Sequence, residues 1–338
     1  MASKKATIID VAKLAGVSWT TVSRVVNGEP NVSDKSRVKV QSAIEALGYV
    51  PHTAARSLAG ARSFSLGILF DNPSPHYTMK VQVGAYQACR AHGYHLLIEN
   101  LESTRSDVGA QIEAILANAR VDGFIVTPPL TECAEVLNAL ESFKIPYVRI
   151  APVSFAGRSK ALSIDDYGAA ADIARHLWTL GHRRFGLVTG PADHGAAGTR
   201  REGFLEALSA MGHKGEVCEA FGGFTFEVGI DAGRALLSQP QRPTAIFAVN
   251  DDSAAGVMAA AAQLGLKVPN DVAIAGFDDS WIAQSVWPNL TTVFQPITEM
   301  ARAAGEMLIV RNGVVESCDK IEMPYRFVAR ASTVPPAG

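Results

Sequence analysis

Apolar positions in the first fifty residues recur at helical spacing in three short runs. Val11 and Leu14 mark one face of a helix over Ile8–Leu14. Val22, Val25 and Val26 mark one face of a helix over Trp19–Asn27. Val40, Ile44 and Leu47, at i, i+4 and i+7, mark one face of a helix over Asp34–Leu47. The punctuation agrees: Thr7, Ser18 and Ser33 are hydroxyl N-caps, Asp10 sits in a first turn, and Gly16, Gly28 and Gly48 fall where each helix must stop. With small Ala12 allowing a close approach, the pattern predicts a helix-turn-helix supported by a third helix.

Pro51 then interrupts the third helix, and His52–Ala59 is an alanine-rich segment too short to be a stable helix alone. Beyond residue 63 the pattern changes to short apolar strands alternating with amphipathic helices. Strands are predicted over Leu66–Phe70, Tyr94–Ile98, Gly123–Thr127, Tyr147–Ile150, Phe185–Thr189, Ala245–Val249 and Val272–Phe277. Helices are predicted over Tyr77–His92, Asp107–Ala119, Glu132–Phe143, Tyr167–Leu180, Gly198–Met211, Glu227–Leu237, Ser253–Leu264 and Ile297–Val310. This alternation predicts doubly wound parallel sheets, and there are too many strands for one half, so two α/β subdomains are expected with a split near Ser163–Asp166.

Composition narrows the class. With 338 residues, 48% hydrophobic and 19% charged, the chain has the length for two or three domains and is neither disordered nor fibrous. No apolar run reaches the roughly 18 residues that span a bilayer, the start carries no apolar signal core, and the four cysteines are scattered without a CxxC pair, so a reducing cytoplasm is expected. The net charge of -2 hides an asymmetry: residues 1–62 hold nine Lys/Arg against four Asp/Glu, while the remainder holds 22 against 29. A basic head on an acidic body points to nucleic acid as the head's partner.

That reading gives the second helix a task. Its outer face carries Trp19, Thr20, Ser23, Arg24 and Asn27, none needed for a core. A helix fits the DNA major groove, where arginine can pair with guanine and apolar groups can touch the thymine methyl. A merely solvated face would rarely pair an exposed tryptophan with an arginine. Thr7, Ser18 and Thr21 are grouped with these residues as DNA contacts.

Asp10-Val11-Ala12-Lys13-Leu14-Ala15-Gly16-Val17-Ser18 and Thr21-Val22-Ser23-Arg24-Val25-Val26-Asn27 resemble the DNA-binding head of the lactose-repressor (LacI/GalR) family, and the match runs on through Ala54-Ala55-Arg56-Ser57-Leu58-Ala59-Gly60. The resemblance implies a head over 1–50 and a hinge over 51–62 that folds only on operator DNA, with Leu58 wedged in the minor groove. It implies a body of the periplasmic-binding-protein type, with an N-subdomain over 63–164 plus 295–323 and a C-subdomain over 165–294 plus 324–334. The last long helix would cross back to the first subdomain. It also implies a cytoplasmic homodimer on a pseudopalindromic operator in double-stranded DNA, without a membrane partner.

In doubly wound sheets ligands bind beyond the carboxyl ends of strands. The residues there include Asp71, Asn72, His194, Arg200, Asn250 and Asp278; with Phe224 as an aromatic cover and Tyr77 they form the candidate effector set. Among them, the resemblance matches Arg200, Asn250 and Asp278 to cleft residues of the family and Phe224 to a stacking aromatic. Carboxylates, amides and a guanidinium suit a carbohydrate; a nucleobase or nucleoside is the alternative. Where many family members carry an acid after the strand ending at Ile150, this chain has Ala151-Pro152. Asp279 reads as a helix cap, as do Asp251 and Asp252. No catalytic motif, cofactor or metal site is expected: there is no GxSxG, P-loop or HExxH, and His92 and His95 lack further ligands. A glycosidase would leave the helix-turn-helix unexplained, a plain sugar-binding protein would lack the basic head, and a purely architectural DNA protein would leave the polar cleft residues unused. The expectation is an allosteric transcriptional repressor, not an enzyme.

Overall fold

The computed structural model describes residues 6–26, 31–49, 62–103, 105–118, 120–310 and 320–333. The head consists of α1 (Ile8–Ala15), α2 (Trp19–Val26) and α3 (Asp34–Leu47). Thr7 and Asp10 form a capping box at the start of α1, and Ser33 caps α3 through the Ser36 N–H. Gly16, at φ +63°, takes the left-handed turn after α1 that brings the Val17 N–H to the Ala12 carbonyl.

The head's core differs in one respect from the periodicity reading. Val11, Ala12, Ala15, Val22, Val25, Val40 and Ala43 are buried together, whereas Leu14 is 57% exposed and Leu47 lies at the surface. The helices pack through alanines, and a leucine between them would hold them apart. Of the expected hinge over 51–62, residues 51–61 with Leu58 lie outside the described residues, as does Asn27.

The body starts with β1 (Ser65–Phe70), α4 (Pro75–His92), β2 (His95–Asn100), α5 (Val108–Asn118), β3 (Phe124–Val126), α6 (Ala134–Ser142), β4 (Tyr147–Ile150) and β5 (Lys160–Ser163). It continues through α7 (Asp166–Thr179), β6 (Phe185–Thr189), α8 (Gly195–Ala210), β7 (Cys218–Phe221), α9 (Phe226–Leu237), β8 (Ala245–Ala248), α10 (Asp251–Gln263), β9 (Ala273–Ala275) and α11 (Trp281–Ser285). It closes with β10 (Thr292–Phe294), α12 (Ile297–Ile309), β11 (Lys320–Glu322) and β12 (Arg326–Val328).

The strands form a six-stranded sheet in the order β11-β5-β4-β3-β1-β2 and a four-stranded sheet in the order β7-β6-β8-β9, with β10 and β12 as an antiparallel ribbon. Pairing is parallel from β1 through β3, β4 and β5 to β11, and throughout the second sheet. A parallel sheet needs both faces covered. Accordingly β3, β4 and β8 are buried along their whole length, and Val188, Ile246, Ile274, Leu236 and Val257 belong to one core beneath the helices of the second sheet. Helix α12 returns to the first sheet and packs on α4 and over β3 and β4, the crossing that the resemblance implied.

Five strands escaped the hydrophobic pattern, among them the three-residue β10 and β12 of the antiparallel ribbon. β7 alternates between half-buried and exposed positions, β11 is exposed along its length, and both are edge strands; β5 is short and begins with Lys160. β7 and β11 lack the continuous apolar run that marks the predicted strands, the edge strands β2 and β9 included.

Candidate functional site

On the head, α2 presents Trp19 at 61% exposure with Thr20 and Arg24 exposed beside it, while Thr21 and Ser23 are half-buried. The Ser18 hydroxyl lies 2.6 Å from that of Thr20 and accepts from the Thr21 N–H, fixing the first turn of the helix. Thr7 is held by Asp10, its hydroxyl 2.7 Å from the carboxylate. The face expected to read DNA is thus exposed on a helix whose first turn is held by Ser18.

In the body, seven of the eight effector candidates converge. Asn72, Tyr77, His194, Arg200, Phe224, Asn250 and Asp278 line one cavity beyond the carboxyl ends of β1, β6, β8 and β9, joined by Ser74. Asp71 is the exception: its carboxylate turns to the Ser103 backbone N–H (2.6 Å) and hydroxyl, away from the cavity. The space between them is about 20 Å3, room for a single water.

Arg200 is the hub. Its Nε donates to Asp166 Oδ1 at 2.7 Å, its Nη1 donates to the Val249 carbonyl at 2.8 Å and lies 3.7 Å from Asp278 Oδ1, and the guanidinium sits 3.7 Å from the centre of the Phe277 ring. Asn250 caps α10 through the Ser253 N–H (3.0 Å), and its amide donates to the Phe224 carbonyl (3.1 Å). Asp278 accepts from Gln295 Nε2 at 2.6 Å, and burial pushes its carboxyl up to about 6 against the pull of Arg200 and Lys80. Asp278 and Asp279 both hold positive φ, +115° and +44°, a strained conformation that costs of order 1–3 kcal/mol per residue and clusters at functional sites.

Two buried polar atoms on the cavity wall have no partner: the Tyr77 hydroxyl and His194 Nδ1. Burial, reinforced by Arg200, pushes the His194 imidazole down to about 3, so it is neutral at physiological pH. Its ring meets Phe224 edge-on at 4.6 Å. Beside an arginine already bound to a carboxylate, the buried phenol of Tyr77 and the neutral imidazole of His194 can exchange hydrogen bonds with an uncharged ligand.

Residues 7–52 match the family model for bacterial regulatory proteins of the lacI family, and residues 174–333 match the periplasmic binding protein-like domain. The ribose operon repressor of Escherichia coli (strain K12) is 36% identical over 311 residues, covering 90% of this chain and 93% of that protein. The chain belongs to the lacI family. It is a transcriptional repressor of that family, not an enzyme. The HTH-type transcriptional repressor PurR of Proteus mirabilis (strain HI4320) is 37% identical over 339 residues, covering 97% of this chain and 96% of that one. The Lac repressor dimer bound to operator and the anti-inducer ONPF superposes with a TM-score of 0.78 at 26% identity, over 98% of this chain and 100% of that one.

The cleft of this lacI-family body is laced shut by residues that sequence reasoning did not assign to the site. Asp252, expected as a cap, accepts from the Ser74 hydroxyl at 2.6 Å and faces His76 Nε2 at 3.4 Å. The Trp281 indole donates to His76 Nδ1, which leaves Nε2 as the protonated nitrogen toward Asp252. Lys80 donates to the carbonyls of Asp278 and Asp279, each at 3.0 Å. Ser74, His76 and Lys80 come from the first-sheet side and Asp252, Trp281 and Asp278 from the second. Asp251 is buried behind them, bonded by Thr292 (2.6 Å) and the Ser280 N–H (2.7 Å). Asp279, also expected as a cap, instead holds Arg330 at 2.6 Å. Among the described residues no group of three or more His, Cys, Asp or Glu could hold a metal ion, and no helix is long and apolar enough to cross a membrane.

Proposed function

We propose that the chain acts as a cytoplasmic homodimer on a pseudopalindromic operator and that an uncharged carbohydrate, bound in the cleft, controls its grip. The observation that carries the effector class is the cavity itself: Arg200 and Asp278 for hydroxyls, Phe224 for an apolar sugar face, and the unpaired Tyr77 hydroxyl and neutral His194 as further partners. Trp19, Thr20 and Arg24 read base edges, with Thr7, Ser18, Thr21, Ser23 and Asn27 fixing the helix on the groove and Leu58 entering the minor groove from the hinge.

A ligand too large for the present cavity has to part the cross-cleft bonds of Ser74, His76 and Lys80. Effector binding therefore shifts the angle between the two sheets, and the shift is transmitted to the hinges. The test is fluorescence anisotropy on operator fragments selected from genomic DNA, repeated with a panel of sugars, nucleobases and nucleosides. Sequence-specific, salt-sensitive binding that one sugar shifts supports the reading; binding shifted only by a nucleobase or nucleoside overturns the effector class.

A further inference from the structure

The chain enters β1 through a clasp at the opposite end of the first sheet from the cleft. The Asp122 carboxylate gathers the turn that precedes the strand. Its Oδ1 accepts from the Ser63 N–H at 2.7 Å and from the Ser63 hydroxyl at 3.0 Å, and its Oδ2 accepts from the Phe64 N–H at 3.2 Å. The Ser63 hydroxyl accepts in turn from the Ser65 N–H at 3.2 Å, and the Asp122 N–H donates to the Ser65 carbonyl at 2.8 Å. Phe64 stands at φ +54°, in the left-handed region that a bulky side chain rarely adopts, so the turn needs something to hold it. A carboxylate that accepts from two successive backbone N–H groups is such a hold, because hydrogen bonds to a charged acceptor are the strong ones.

The place of the clasp in the chain gives it leverage. Phe64 precedes β1 and Asp122 precedes β3, and the two strands pair in parallel with Gly67 opposite Phe124. Beyond the carboxyl end of β1 come Asn72 and Ser74, which line the cavity, and Ser74 is bonded across the cleft to Asp252. The six residues of β1, about 20 Å of strand, join the two ends. Leu66–Phe70 are buried, and the Phe124 ring leaves no room for a Cβ on Gly67. A strand packed this closely transmits a displacement rather than absorbing it. On the other side of the clasp, Arg62 is the last residue of the hinge expected over 51–62.

Resting on the dimeric operator-binding reading above, we propose that Asp122 is a positioning residue for operator binding. It anchors the hinge to the amino end of the first sheet, fixes the path by which each chain leaves β1, and so sets the spacing at which the two heads of a dimer meet their half-sites. A path fixed beforehand spares the ordering that binding would otherwise cost, once in each protomer. Without the clasp the heads stay tethered, but their reach is no longer set.

Fluorescence anisotropy of the full-length protein tests this on an operator selected from genomic DNA and on copies of it with single base pairs added or removed at the centre. The unmutated protein is expected to bind one spacing about tenfold or more tightly than its neighbours. Asp122→Ala weakens binding at that spacing about tenfold, flattens the dependence on spacing, and leaves the affinity for scrambled DNA unchanged. Asp122→Asn, which keeps one oxygen for Ser63 and loses the charge, falls between the two and carries the test if the alanine variant does not fold. A merely structural role would lower the urea midpoint of the body and leave the preferred spacing in place. That result, a spacing profile of unchanged shape in both variants, or an unmutated protein indifferent to spacing overturns the clasp while leaving the operator reading intact. An unmutated protein that binds scrambled DNA as tightly as operator overturns that reading and the clasp with it.

Discussion

His194 gives the sharpest test of the cleft's electrostatics. Its imidazole is buried, sits next to Arg200, and takes a proton only near pH 3, against 6.5 for an ordinary histidine. The folded state therefore binds this proton less tightly than the unfolded chain does. The stability His194 allows is fully present above pH 6.5 and is lost as pH falls toward 3. At pH 5 the unfolded chain has gained the proton and the folded one has not, which costs about 2 kcal/mol; near pH 3 the loss approaches about 5 kcal/mol. His194→Gln removes the titrating group and keeps a polar side chain of similar size. The change in unfolding free energy between pH 7 and pH 5, measured by urea denaturation, is expected to be about 2 kcal/mol less unfavourable in the variant. Asp278, with its carboxyl pushed up to about 6, acts oppositely, adding stability as pH falls from 6 toward 4. It is present in both proteins and cancels in the difference, as do His176 and His182, which burial also lowers. Identical pH slopes for the two proteins would mean that the imidazole reaches water or a counter-charge, and the neutral-cavity argument would fail.

Arg200→Ala leaves Asp166 and Asp278 buried without the guanidinium that pairs with both, and is expected to destabilise the body by about 3–5 kcal/mol in chemical denaturation as well as abolish the effector response. An unchanged denaturation midpoint would refute that account. Arg24→Ala is expected to weaken operator binding by about 1–3 kcal/mol and to relax one base position, read by anisotropy on a set of operator variants. Gly203→Ala places a Cβ 2.2 Å from the Tyr167 carbonyl oxygen, where α7 and α8 meet. A loss of about 1–3 kcal/mol is expected from forcing the helices apart, visible as a lower melting temperature.

The head's element ends were legible because they are local chemistry: Thr7, Ser33, Gly16 and Gly48 act on atoms within a few residues of themselves. Its core was only partly legible. Periodicity favours large side chains, and it promoted Leu14 and Leu47 over Ala15 and Ala43, although close helix crossings select small ones. In the body, strands with unbroken apolar runs announced themselves, whereas Cys218–Phe221 and Lys320–Glu322, with half or more of their residues exposed, did not. The rule that parallel sheets bind ligands at strand ends was enough to gather five cavity residues, Asn72, His194, Arg200, Asn250 and Asp278. It failed for Asp71, whose nearest donor, Ser103, lies on a loop 32 residues away. It did not foresee the bond between Ser74 and Asp252, a pair 178 residues apart, because a bond across the cleft depends on how far the two sheets close.

The position of α12 and β11 in the chain has a consequence for synthesis. The helix that shields β3 and β4, and the strand that completes the first sheet, are made last, after the whole second sheet. A nascent chain extends at about 5–20 residues per second. The roughly 170 residues from the end of β4 to the end of β11 therefore keep an apolar sheet face uncovered for about 10–30 s. A chain cut before α12 lacks both the helix that covers β3 and β4 and the strand that extends their sheet, so it is an open sheet rather than a shorter working protein.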